Sequence, residues 1–314
     1  VNYRVTHTTT YTYGDPVAVC HNQVHLTPRE GRRVKCPSHR LTIRPTPAHA
    51  VHRRDYFGNL VHWFSIEENH RRLTITATSR VRVFPPEYSE DAPSPSWEAV
   101  RDSLRDGTAD NWLEAVQFTF ESAAIPLSDE LADYARPSFP PGRPILQGVR
   151  ELTSRLYTDF EYDPRATEVT TPTLQAFAMK RGVCQDFAHI EIACLRSLGL
   201  AARYVSGYLR TVAAPRDGCG AADPSRPAPG EVPLVGADQS HAWLSVFCGP
   251  LGWLEFDPTN DTMCSLDHIM LAWGREYSDV APIKGVFLGG GAQSHTVAVD
   301  VQPLEGKRDE GDEG

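Results

Sequence analysis

The stretch from Cys184 to Leu198 constrains the fold more than any other. Phe187, Ile190, Cys194 and Leu198 recur at helical spacing, and Ala188, Ile192 and Leu195 widen the stripe. Gly182 precedes this segment and Gly199 follows it as a stop signal. A helix with so broad an apolar face needs cover from several neighbours, so it belongs at the centre of a packed unit. The helix opens within Gly182-Val183-Cys184-Gln185-Asp186-Phe187-Ala188, which puts a thiol in its first turn.

The flanking sequence supplies the cover. Ile145, Val149, Leu152 and Leu156 form a second helical stripe behind Pro144. Thr171-Pro172 reads as an N-cap and first-turn proline for a helix reaching Lys180. Strands are expected at Ala202–Leu209, His241–Phe247 and Gly252–Phe256, with a last strand at Thr296–Val301. Residues 213–237, rich in Pro, Gly, Ala and Asp, read as a surface loop placed to act as a lid over the His241 strand.

Residues 1–85 have a different pattern. Leu73, Ile75 and Ala77 alternate with Thr74, Thr76 and Thr78, and Tyr3 to Thr8 is similarly rich in strand formers. Turns are expected every ten or so residues, the first at Gly14-Asp15-Pro16, which is the spacing of a β-sandwich or barrel. Pro85-Pro86 and Ala92-Pro93-Ser94-Pro95 read as a linker. The expected fold is therefore α+β. It has an all-β domain over residues 1–90, a helix-and-sheet core over 96–302, and an acidic tail over 303–314 with too little apolar material to fold.

Composition narrows the function classes. A chain of 314 residues with 40% hydrophobic and 23% charged side chains has material for two ordinary globular domains. Its net charge of -9 gives no footing for nucleic acid and disfavours anionic membranes. No run of about 18 apolar residues is present, and the first residues do not read as a signal segment. The seven cysteines are scattered without a CxxC pair, so a reducing cytoplasm is the expected location. No cofactor is expected. Cys184, Asp186 and His189 lack the second cysteine or histidine pair of a zinc site, so no metal is expected either. The sequence assigns no oligomeric state.

The chemistry-bearing residues follow one another in a telling order. After Cys184 come Ser240-His241-Ala242-Trp243 and Trp253-Leu254-Glu255-Phe256-Asp257-Pro258. A thiol attacks as thiolate, which a helix N-terminus or an adjacent imidazolium favours. The first-turn N–H groups of a helix have no partner within it, so the Cys184 N–H could face an oxyanion. His241 is the candidate base and Asp257 the carboxylate that would fix its tautomer. Taken singly, each has a plainer reading: Cys184 as a small core residue, His241 as a satisfied strand histidine, Asp257 as a turn residue before proline. In order together, they point to a nucleophile, a base and an orienting group.

Gly-Val-Cys-Gln-Asp-Phe-Ala at 182–188, Ala202-Arg203-Tyr204-Val205-Ser206-Gly207-Tyr208, Ser-His-Ala-Trp at 240–243 and Phe-Asp-Pro-Thr-Asn at 256–260 resemble the bacterial transglutaminase-like superfamily. The β-rich first part resembles the amino-terminal domain that often precedes this core. The resemblance implies a papain-like fold, with Cys184 on a helix packed against an antiparallel sheet that carries His241 and Asp257. It implies acyl transfer at an amide bond through a thioester, on a peptide or amide substrate. Hydrolysis is the expected outcome, because no residue identifies a site for an acceptor amine. Protein-glutamine cross-linking is the alternative; a non-catalytic module that keeps these residues as a relic is the other. Animal-type cross-linkers have Gly-Gln-Cys-Trp around the nucleophile, where this chain has Gly-Val-Cys-Gln. The second oxyanion donor is left unassigned. Tyr162 offers a hydroxyl, against the plainer reading of a packed strand aromatic.

Overall fold

The computed structural model describes residues 1–210, 235 and 240–304. Its fold is α+β. Five strands open the chain: β1 (Asn2–Val24), β2 (Val34–Arg44), β3 (His49–Arg54), β4 (Leu60–Ile66) and β5 (His70–Val83). The alternation in β5 works as the sequence suggests. Leu73, Ile75, Ala77, Val81 and Val83 are buried, while Thr74, Thr76 and Thr78 are only partly so.

The expected turn at Gly14-Asp15-Pro16 is instead part of β1, which runs unbroken for 23 residues. Its pairing with β5 shifts register between Thr12 and Val17, so these residues form a bulge that bends the strand. The glycine-rich segment 289–291 closes against the bend. The Gly14 N–H donates to the Ala292 carbonyl at 2.7 Å and the Asp15 N–H to Gly290 at 2.9 Å. Pro16, which lacks an N–H, is tolerated where the ladder is interrupted.

The core follows with α1 (Trp97–Arg105), α2 (Trp112–Val116), α3 (Asp129–Ala135), α4 (Ile145–Asp159), the short β6 (Glu161–Tyr162), α5 (Thr173–Met179), the short β7 (Arg181–Gly182) and α6 (Cys184–Ser197). Strands β8 (Ala202–Leu209), β9 (His241–Phe247), β10 (Trp253–Asp257), β11 (Thr262–Met263) and β12 (His268–Gly274) form one antiparallel sheet in the order β11-β10-β9-β8-β12. The proline expected in the first turn of α5 is its N-cap, and Thr173 begins the helix.

Helix α6 lies against β8 and β9 and is covered by α3, α4 and α5. Residues 185–196 are all buried. That burial includes Arg196, whose guanidinium is spent on the carbonyls of Phe120, Ala202 and Arg275 at 2.8–3.0 Å. This cation thus ties the far end of the helix to three other segments.

The short α7 (Tyr277–Val280) leads to β13 (Ile283–Gly289) and β14 (Gln293–Pro303). These two strands leave the core and pair with β1, β13 along Val17–Val24 and β14 along Tyr3–Tyr13. The core expected over 96–302 therefore gives up its last segment. The strand at Thr296–Val301 exists, but it completes the amino-terminal sheet, and Pro303, assigned to the tail, belongs to it. The rest of the acidic tail beyond Leu304 lies outside the described residues. So does the loop at 213–237 except Val235, whose N–H donates to Asn260 Oδ1 at 2.8 Å.

Candidate active site

Cys184 is the first residue of α6 and is half-buried. Two contacts shape the entry to this helix. The Asp186 carboxylate reaches back to accept the Val183 N–H at 2.8 Å and the Thr167 hydroxyl at 2.6 Å. Gly182 permits that approach, because a Cβ there would sit 2.4 Å from Asp186 Oδ2. Burial pushes the Asp186 carboxyl up, with the Thr167 and Val183 hydrogen bonds opposing. Among the described residues, nothing accepts from the N–H groups of Cys184 or Gln185. Two helix-start donors are therefore free beside the thiol.

His241 begins β9, and Asp257 ends the adjacent β10, where Phe256 stands opposite Leu244. Both side chains are wholly buried. His241 Nε2 donates to Asp257 Oδ2 at 2.8 Å. Its Nδ1 is buried without a full hydrogen bond among the described residues. Cys184 is close enough that its charge acts on the ring. Burial alone would lower the His241 pKa. The Asp257 carboxylate and then Cys184 outweigh it and push the imidazole up to about 10. The structure thus brings Cys184, His241 and Asp257 together.

Asp257 is the most heavily held residue here. Its Oδ2 also accepts from Asn260 Nδ2 at 2.7 Å and His268 Nε2 at 3.2 Å, and its Oδ1 accepts the Thr259 N–H at 3.0 Å. Burial raises a carboxyl pKa. Here the His241 charge, followed by the hydrogen bonds from His241 and His268, reverses that and holds the group ionised, far below the usual carboxylate range.

His268, at the start of β12, is a partner that the sequence reading does not name. The Ser265 N–H donates to its Nδ1 at 3.2 Å, so its Nε2 carries the proton given to Asp257. Trp243 fixes the arrangement from one side. Its ring centre lies 6.0 Å from that of His241 and 5.3 Å from that of His268, edge-on to the latter. Trp243 is itself seated over Gly207, where a Cβ would come within 2.2 Å of the indole.

Two tyrosines also stand near the thiol. Burial and then the Cys184 charge raise the phenol pKa of both Tyr204, on β8, and Tyr277, at the start of α7. Tyr277 is held by its backbone, whose N–H donates to His189 Nε2 at 3.1 Å. Tyr162 is set beside the approach to α6, since β6 pairs in parallel with β7 and puts Tyr162 opposite Gly182. The signal for His268 and Tyr277 was absent from any single motif, because both arrive from beyond the Phe-Asp-Pro-Thr-Asn segment.

The comparisons agree with this architecture. Residues 3–82 match the bacterial transglutaminase-like N-terminal region, and residues 133–258 match the transglutaminase-like superfamily. An uncharacterized protein of Mycobacterium tuberculosis is 41% identical over 312 residues, covering 97% of this chain and 93% of its own. The chain belongs to the transglutaminase-like superfamily. An uncharacterized protein of Mycobacterium leprae is 33% identical over 305 residues, covering 96% of this chain and 98% of that one. A "putative cysteine protease" from Cytophaga hutchinsonii superposes with a TM-score of 0.72 at 19% identity, over 98% of this chain and 91% of its own. At that identity the likeness is one of fold. Among the described residues of this transglutaminase-like protein, no helix is long and apolar enough to cross a membrane.

Proposed function

We propose that this protein is a thiol-dependent acyl-transfer enzyme that hydrolyses an amide or peptide bond. The observation that carries the reading is the His241–Asp257 pair, with Nε2 committed to the carboxylate and Nδ1 left for the thiol at the start of α6.

In this mechanism Cys184 gives its proton to His241 Nδ1, and Asp257 holds the resulting imidazolium. The Cys184 sulfur attacks the substrate carbonyl carbon, and the free N–H at the helix start donates to the developing oxyanion. Collapse expels the amine, which takes the proton from His241. Water then attacks the thioester, with His241 accepting one of its protons, and the acid leaves as Cys184 is regenerated. Hydrolysis is favoured over transfer because no described side chain marks a channel for a second amine. The free thiols at Cys20, Cys36, Cys184, Cys194, Cys248 and Cys264 suit a reducing compartment, which would keep the nucleophile active.

The test uses the full chain and a library of glutamine-containing peptides, with and without a labelled primary amine. Hydrolysis predicts deamidated or cleaved product without label, abolished in Cys184→Ala. Iodoacetamide should label Cys184 at pH 6 at least ten times faster in the wild type than in His241→Ala, since the imidazolium assists thiolate formation. Amine-bearing product would replace hydrolysis by transfer. No product, together with equal labelling in the two proteins, would remove the enzyme reading.

A further inference from the structure

A cavity of about 480 Å³ lies where loop 29–34, the linker at 86–88 and the core sheet meet. Neither Cys184, His241 nor Asp257 lines it. Its volume is that of a small-molecule site. Arg203, on β8, stands in its wall and is only 7% exposed.

The guanidinium is clamped between two indoles. Its central carbon lies 4.1 Å from the ring centre of Trp253 and 4.0 Å from that of Trp273. Arg29 also stacks on Trp273, at 4.4 Å. Among the described residues the Arg203 side chain makes neither a hydrogen bond nor a salt bridge, and its Nε is fully buried without a partner. The other arginines of the wall are occupied. Arg32 pairs with Glu87 at 2.9 Å, Arg33 lies 3.6 Å from Glu255, and Arg29 donates to Asn59 at 2.8 Å. Glu255, which also accepts from the Trp243 indole at 2.9 Å, acts on Arg203 through its charge, without a hydrogen bond or salt bridge among the described residues.

Stacking offsets part of the cost of burying a guanidinium, but it satisfies none of its five N–H donors. A buried cation with its hydrogen bonds unmade is expensive unless something completes it. The fork geometry of arginine matches a carboxylate. The acidic residues Glu30, Glu87, Asp110 and Glu255 in the same wall oppose a doubly charged anion more than a singly charged one. The apolar side chains of Leu254 and Met270 would favour an apolar body. We propose that this cavity binds a small organic monocarboxylate, its carboxylate on the Arg203 guanidinium and its apolar part against the tryptophan-lined wall. The thiol does not line this site and the proposal does not rest on its chemistry, although His268, the donor to Asp257, stands in the same wall.

Titrating the full-length protein with benzoate, while following tryptophan emission at matched ionic strength, tests this. Benzamide is the neutral control of the same shape, and inorganic phosphate is the competing anion class. The expected result is a saturable response to benzoate, at least tenfold weaker for benzamide, and lost in Arg203→Met with the circular dichroism unchanged. If Arg203→Met fails to fold, the benzoate-to-benzamide ratio in the wild type decides alone. Equal affinity for benzoate and benzamide, binding of phosphate in place of benzoate, or undiminished benzoate binding in a folded Arg203→Met would overturn the proposal.

Discussion

His241 and His189 are both buried beside helix α6, yet they are pushed in opposite directions. His189 lies on the helix one turn beyond the thiol, and burial drives its pKa down to about 4, with the Glu276 charge opposing and that of Arg196 assisting. His241 faces the start of the same helix, and there Asp257 and Cys184 overturn the effect of burial and raise it to about 10. Desolvation is similar in the two; an ionised carboxylate in direct contact makes the difference. One histidine is thereby fixed as a neutral acceptor for the Tyr277 N–H, while the other is poised to hold a proton. The pH consequences are opposite too. The raised His241 contributes stability that is present in full below its unfolded value of about 6.5 and is lost as pH rises through about 10. The depressed His189 takes up no proton in the fold until about pH 4, so its share of stability is lost as pH falls from about 6.5.

Replacing Asp257 with Asn breaks the comparison most severely. The shape is kept and the charge removed, so His241 should behave like His189 and titrate below the ordinary histidine range. Loss of the imidazolium's partner should lower kcat/KM by roughly 10³–10⁴, the scale seen when an orienting carboxylate is neutralised in a nucleophile–base–acid site. Imidazole NMR titration and kinetics on the same sample check both effects. A His241 pKa that stays near 10 in Asp257→Asn would show that the carboxylate does not set it.

The two histidines also show how far the sequence reaches. The placement of Cys184, His241 and Asp257 next to one another was legible because each sits in a short motif with its own local context: a helix start after glycine, a strand start, and a strand end before Pro258. The apolar breadth of α6 was equally legible, since burial on all sides writes itself as an apolar face wider than one stripe. His189 was visible as a residue but not as a neutral acceptor, because its state depends on Tyr277, far along the chain. Arg203 was quoted within a motif, yet its stacking depends on Trp253 and Trp273, which neighbour it only through the sheet. The return of β13 and β14 to β1 was hidden for the same reason. Strand pattern records which face is buried, and it does not record which sheet buries it.

His268 sharpens the comparison on a smaller scale. It donates to the same Asp257 oxygen as His241, from a ring whose Nδ1 is already occupied by the Ser265 N–H. We expect it to position the carboxylate rather than to exchange protons with substrate. Removing the donor in His268→Phe takes one hydrogen bond from a buried charge, worth about 1.5–3 kcal/mol. That should cost about tenfold or more in kcat/KM, move the acidic limb of the pH profile, and leave KM nearly unchanged. His268→Gln, which can still donate to Asp257, should recover most of the loss. If Phe and Gln are equally impaired and the pH profile is unmoved, His268 serves packing alone.

The smallest effect concerns stability and comes from the other histidine. His189→Gln keeps an acceptor for the Tyr277 N–H but has no proton to take up in the unfolded chain. The wild-type shift from about 6.5 to about 4 corresponds to about 3 kcal/mol of stability lost by pH 4. The variant should therefore lose less stability than the wild type between pH 7 and pH 4, with the two denaturation curves converging toward acid. His7 and His39 are also pushed down to about 4 by burial, so a residual acid slope should remain in the variant. His241 opposes that slope slightly between pH 7 and about 6, where the unfolded chain takes up a proton the fold already holds, and adds nothing at lower pH. Urea melts at half-unit pH steps separate these contributions. Parallel curves for His189→Gln and the wild type would mean that His189 is protonated in the fold and that the two histidines are less different than their surroundings indicate.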